Sequence, residues 1–277
     1  MFRLRKSRRT QDFSRRGVTL AELMVASTIM AMVAVGFGAI TMTVQTANEH
    51  SQTQREVAQH ARICIDYLQQ LILDATANEH FPGFAAFSSV GDVANYTNVL
   101  VVWQPEEEPV HPQGLPLFSE LVFVMADPID ATRLIHVSGL NDSRTVPDLS
   151  KQELWRQEIA RVVSRRALQD ATVVELTGLL EPVPFASHVA RGQPQLGRVR
   201  FDVTYRPTVE DWLSYKDDQL KWDSISWAQG IHGTKVGLRQ SWCRIEFSLM
   251  SHSPGNAEHA SGIPFFSSSA IYYELQR

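Results

Sequence analysis

Residues 23–44 carry no charged side chain, and the run is apolar on every side rather than along one stripe. At about 1.5 Å of rise per residue, these 22 residues make a helix of roughly 33 Å, close to the hydrocarbon thickness of a bilayer. The pattern predicts a membrane span, because a helix in a soluble core would hardly stay this apolar all round for roughly six turns. The helical signal then continues in a different form. Val57, Ala61, Cys64, Leu68, Leu71 and Ala75 recur at steps of four and three, while Arg55, Glu56, Gln59, Arg62, Asp66, Gln69 and Gln70 fall on other faces. One helix from Val18 to about Ala77 is expected, roughly 90 Å long, half in lipid and half laid on a soluble core. Gly36 and Gly38 loosen it near mid-span, at about 1 kcal/mol each relative to alanine. Asn78, Pro82 and Gly83 signal its end.

From about residue 97 the period drops to two. Short β-branched runs at 98–103 (NVLVVW), 120–125 (ELVFVM), 133–137 (RLIHV), 172–176, 197–205 (GRVRFDVTY) and 270–275 read as strands, and 236–250 as a paired and bent stretch. In that last stretch the alternation puts Cys243, Ile245, Phe247 and Leu249 on the core face and Trp242, Arg244, Glu246 and Ser248 on the other. The loop 104–114, with Glu106, Glu107 and Glu108, is a solvated excursion, and 251–262, rich in Ser, Gly, His and Asn, a mobile loop. Residues 151–170 read as an amphipathic helix with Leu154, Ile159, Val162 and Val163 inward and a solvated basic flank of Arg161, Arg165 and Arg166. The fold class is α+β: a long N-terminal helix, membrane-spanning in its first half and amphipathic in its second, packed on an antiparallel sheet head.

Charge orients this arrangement. The first 17 residues carry seven bases and one acid, whereas 45–54 contain no Lys or Arg, so the amino terminus stays on the cytoplasmic side and everything after Val44 lies outside the cytoplasm. Glu22 is out of place. A lone carboxylate in a lipid-facing helix costs on the order of 2–3 kcal/mol near the bilayer centre, less near the interface, and usually has a partner. An uncleaved signal anchor explains the basic flank and the apolar run, but not Gly17 and Glu22 together. A signal peptide cut after Gly36, with Ala34 upstream, meets small-residue rules, yet the apolar run is too long and Glu22 badly placed for it.

The segment Arg16-Gly17-Val18-Thr19-Leu20-Ala21-Glu22-Leu23 resembles the processing and assembly signature of type IV prepilins and type II secretion pseudopilins: a basic leader, Gly before the cut, an apolar first mature residue, Thr-Leu, then Glu as the fifth mature residue. Val18 departs from the family's usual Phe. The resemblance implies a pilin-like fold, cleavage between Gly17 and Val18 by a prepilin peptidase, N-methylation of Val18, and assembly through the stem with other pilin or pseudopilin subunits. It also implies that Glu22 of one subunit neutralises the Val18 amine of its neighbour, a pair that low dielectric strengthens and makes costly to leave unmade. The implied organisation is a leader at 1–17, a stem at 18–77 with about 20–44 in membrane lipid, and an extracytoplasmic head at 78–277, on the bacterial cytoplasmic membrane and then in a pilus or pseudopilus. Residues 62–75 also resemble the second half of the stem in minor pilins of the PilW kind and in the J-type pseudopilin, which points to a minor subunit.

The rest of the chain offers little chemistry. Beyond residue 17 there are 19 bases against 29 acids, a net −10, which argues against nucleic acid as the main ligand. Cys64 and Cys243 are far apart in sequence; an oxidising compartment permits a bridge between them, and the other reading makes both small buried apolar residues. Trp212, Tyr215, Trp222 and Trp227 stand among Glu210, Asp211, Asp217, Asp218 and Asp223, read as rings packed in a lid over the sheet with a solvated rim, against a contact surface or a calcium loop. His232, His252 and His259 lack zinc-like spacing, and no CxxC, HExxH, GxGxxG, P-loop or GxSxG pattern occurs. A structural subunit without metal, cofactor or catalytic residues is expected; the rival classes are a membrane-anchored adhesin or binding module and an anchored hydrolase.

Overall fold

The computed structural model describes residues 18–89, 96–164, 170–183, 195–229, 235–250 and 262–275. The chain separates into two compact units, Met1–Gln52 and Thr53–Arg277. One helix, α1 (Leu20–Leu73), runs through the described part of the first and opens the second.

In the first unit α1 exposes its large apolar side chains, among them Leu23, Met30, Phe37 and Val44. Among the described residues it is the one helix long and apolar enough to cross a membrane. A hydroxyl in such a segment has no water to bond, so it must find the backbone. Ser27 and Thr28 donate to the Met24 carbonyl at 2.9 and 2.8 Å, Thr41 to Phe37 at 2.8 Å, and Thr43 and Thr46 to Ala39 and Met42 at 2.9 Å.

The second unit is built on the stripe that α1 presents from Val57 onward. Val57, Ala61, Cys64, Leu68, Leu71 and Ile72 are all buried, with Ala75 packed beside them, whereas Arg55, Glu56, Arg62, Asp66 and Gln70 are exposed. Two antiparallel sheets share this core. The first is a meander of β1 (Phe84–Phe87), β2 (Val99–Trp103), β3 (Leu121–Ala126), β4 (Leu134–Ser138) and β5 (Thr172–Thr177), in that order. The second has β9 (Leu238–Leu249) between β8 (Val199–Arg206) and β10 (Ile263–Glu274), and β6 (Pro182–Val183) pairs with β7 (Leu196–Gly197) as a separate two-stranded sheet. Phe84, Leu100, Val102 and Val124 from the first sheet meet Phe201, Ile245 and Phe247 from the second around the stripe. The Phe201 amide donates to the Thr97 carbonyl at 2.8 Å, and the Tyr205 hydroxyl to the Phe84 carbonyl at 3.0 Å, so β8 is bonded to both ends of the β1–β2 hairpin.

The opposite face of the first sheet is also buried. Phe87, Val101, Trp103, Phe123 and Val137 pack there against α2 (Gln152–Val162). Trp155, Ile159 and Val162 face the sheet at steps of four and three; Leu154, one residue and about 100° away, is 45% exposed rather than inward. Trp155 stacks on Phe87 with ring centroids 4.5 Å apart. Arg161 is exposed, as expected of a solvated flank, and also paired, its Nη2 2.6 Å from Asp142 and its Nε 2.7 Å from Glu158, and Arg144 bridges the same two acids. Arg165 and Arg166 lie outside the described residues.

Other boundaries moved for tertiary reasons. The helix ends at Leu73 instead of about Ala77, because the Thr76 amide donates to the Trp103 carbonyl at 2.9 Å and so joins the sheet. Asn78 fixes the exit: its Nδ2 donates to the carbonyls of Pro112 and Gly114 at 3.0 and 2.6 Å, while its Oδ1 accepts from the amides of His80 and Phe81. Gly83 then turns the chain at φ +89°, open to glycine at no steric cost, into the unforeseen β1. The stretch 236–250 forms one strand whose pairing with β10 runs unbroken over twelve residues. β10 begins seven residues before the expected 270, with Pro264 tolerated because this is an edge strand.

Two outcomes test this packing. Leu68→Ala should cost about 2–5 kcal/mol in urea unfolding followed by tryptophan fluorescence, while Ile63→Ala on the exposed face should stay within about 0.5 kcal/mol. His136 on β4 meets the Tyr67 hydroxyl of α1 through Nδ1, and burial pushes its pKa below the ordinary 6.5. Below that value the unfolded chain takes up a proton that the folded chain resists, so stability is retained above about pH 6.5 and falls as the pH drops beneath it. His136→Gln, which keeps an acceptor for Tyr67, should flatten that fall in unfolding curves recorded from pH 7.5 down to about 5.

Candidate functional site

The expected processing and assembly residues stand where α1 begins. Gly17 and the basic leader lie outside the described residues. Val18 and Thr19 precede the helix, with Val18 73% exposed. Thr19 is the N-cap and Glu22 the third helical residue, and the two bond reciprocally. The Glu22 amide donates to Thr19 Oγ1 at 3.3 Å, and the Thr19 amide and hydroxyl donate to Glu22 Oε2 at 3.0 and 3.1 Å. This is a capping box, and it satisfies backbone donors that the first turn would otherwise leave open. The Thr-x-x-Glu spacing is itself a helix-start signal in the sequence, one that the charge of Glu22 does not convey.

Both Thr19 donors land on Oε2. Among the described residues Oε1 accepts no hydrogen bond, so the carboxylate keeps acceptor capacity for a cation on an exposed helix face. Leu20, Leu23 and Met24 around it are exposed and apolar, surroundings in which such a cation would find few competing partners.

The other candidates have structural roles. Cys64 and Cys243 are free and buried, so no disulfide joins them. Cys64 Sγ sits 3.3 Å from the Leu176 carbonyl, burial pushing its pKa up to about 11, and burial raises that of Cys243 as well. Trp212 and Tyr215, on α3 (Val209–Lys216), form a small core with Trp222 and Ile225, the arrangement of a packed lid. Trp227 Nε1 donates to the Leu238 carbonyl at 3.1 Å. Among the described residues no group of three or more His, Cys, Asp or Glu side chains is placed to hold a metal ion; His232, His252 and His259 lie outside them.

Residues 12–38 match the family model of the prokaryotic N-terminal methylation motif, about a tenth of the chain. No curated protein and no solved structure matches the chain. The matched motif and the apolar helix that it opens support a membrane-anchored, prepilin-like protein. Within that class the motif supports the type IV pilin and pseudopilin family, and it implies processing by a prepilin peptidase and assembly with other pilins. The motif suggests a structural subunit.

Proposed function

We propose that this chain is a minor pilin or pseudopilin, cut between Gly17 and Val18, methylated on the new Val18 amine, and built into a type IV pilus or a type II secretion pseudopilus. Residues 1–17 are the discarded leader, 18–77 the stem with about 20–44 in the cytoplasmic membrane, and 78–277 a head on the outer side of that membrane. The basic leader keeps the amino terminus in the cytoplasm before cleavage. A head of some 200 residues with two sheets favours a minor subunit of the PilW or J-type kind over the repeating one.

The observation that carries this reading is the Glu22 carboxylate, held by Thr19 at the first turn of an exposed apolar helix with Oε1 still open. Cleavage creates a cationic amine on Val18. In a bundle of stems, Oε1 of one subunit accepts that amine from the next, and the low dielectric that makes each charge costly alone strengthens the pair.

Mass spectrometry of the mature amino-terminal peptide should find N-methyl-valine at position 18; an intact Met1 terminus, or a cut beyond Gly36, would end the proposal. Glu22→Gln separates the two jobs of this residue, because glutamine can complete a capping box but carries no charge. The variant should be inserted, cleaved and as abundant in the membrane as the parent, yet reach sheared filaments or the assembled pseudopilus at least about tenfold less. Equal incorporation would mean that Glu22 only caps the helix.

A further inference from the structure

In the head, a cavity of about 1010 Å³ opens between the β1–β2 hairpin, β8 and α3, at the upper end of the range usual for small-molecule sites. Its inner wall includes Arg239, the second residue of β9. The core row of that strand runs Leu249, Phe247, Ile245, Cys243, Ser241, Arg239, so the alternation that makes the core also drives a guanidinium into it. Arg239 is only 5% exposed, and its Nε is buried with no hydrogen-bond partner. Rings hold it in place: the guanidinium lies 5.1 Å from the centre of Trp212 and 5.7 Å from that of Tyr273, its register partner on β10.

Among the described residues no carboxylate pairs with Arg239, although a buried cation without a counter-charge is costly and arginine does not shed its proton. The acids on the cavity wall are engaged elsewhere. Asp202 accepts from Arg200 Nε at 3.0 Å, Glu79 pairs with Lys216, and Asp148 accepts from the Ser150 amide at 2.8 Å. The inner wall therefore offers one uncommitted positive charge, while Phe87, Val209 and Leu213 supply apolar surface beside it.

We infer that this cavity is a binding site for a small organic carboxylic acid with a ring or apolar body, its carboxylate on Arg239 and its body against Trp212, Phe87 and Leu213. A planar carboxylate matches the guanidinium fork, and the cavity is large enough to admit such a molecule. The site is independent of how the start of α1 is used, so its failure would leave the pilin reading untouched.

Calorimetric titration of the full chain in detergent with indole-3-acetate and with its uncharged isostere indole-3-acetamide tests it. The acid should bind with a sub-millimolar Kd and the amide about tenfold more weakly or worse. Arg239→Gln should weaken the acid at least about tenfold and leave the amide within about threefold. Leu213→Asp puts a second negative charge beside the acid's carboxylate from a half-exposed helix position, which spares the fold if Arg239→Gln does not; it removes apolar contact from both probes and should weaken the acid further than the amide. Equal binding of acid and amide, no heat from the acid up to about 10 mM, or unchanged acid affinity in either folded variant overturns the proposal. So does a peptide with a free carboxyl terminus that binds about tenfold more tightly than the acid while its amidated form is silent, which would give the cavity to the end of another chain.

Discussion

A single helix here has to satisfy two solvents. From Leu23 to Val44 its faces carry no charge and its few hydroxyls bond back to their own backbone, which is what a hydrocarbon environment requires. From Val57 onward the apolar positions narrow to one stripe, because the other faces now meet water. Everything in the head depends on that narrowing. Leu68 and Ile72 lie in one core with Leu100 and Val102 of the first sheet and with Ile245 and Phe247 of the second. Burying a valine, leucine or isoleucine is worth about 1.5–3 kcal/mol, so Val57, Leu68, Leu71 and Ile72 in this stripe decide whether the two sheets have a common core.

The layers then differ in what covers them. The first sheet has the stem on one face and α2 on the other, so β2 and β3 are buried almost end to end and their sequences read as continuous apolar runs. The second sheet alternates, as a sheet does when one face stays in solvent. Its core row on β9 also changes character along the strand. Phe247 and Ile245 face the shared core, Ser241 donates to the Pro82 carbonyl at 2.6 Å, and Arg239 reaches the cavity. Polar residues enter the row where the aliphatic core gives way, Ser241 to a backbone carbonyl and Arg239 to rings and the cavity.

This explains what could be read from the chain beforehand. The stem stripe and the face of β9 with Cys243, Ile245, Phe247 and Leu249 follow from local period alone, and period survives folding because it is set by backbone geometry. Features set by distant partners did not show. The Thr76–Trp103 hydrogen bond ends α1 early, a glycine-led turn makes a strand of the alanine-rich β1, and the first seven residues of β10, with Pro264 and three serines, are extended because β9 pairs with them. Apolarity alone points Leu154 inward, whereas Trp155 is the residue in phase with Ile159 and Val162. Arg239 was within reach, since the alternation from Leu249 leads straight to it; reading 236–250 as a bent pair cut the row short.

The start of α1 is where reading by charge and reading by geometry have to be joined. A capping box accounts for a glutamate at the third helical position without any neighbour, so Glu22 taken alone would be weak support for a role in assembly. The two uses do not compete for the same atom. Thr19 occupies Oε2 with both of its donors, which restrains the side chain and leaves Oε1 without a hydrogen bond among the described residues. Ordering a free glutamate side chain costs up to about 1.5–2 kcal/mol of rotamer freedom, and the cap meets that cost in the single subunit. A cation arriving at Oε1 then meets a carboxylate already in place, so the cap strengthens the proposed pairing rather than replacing it.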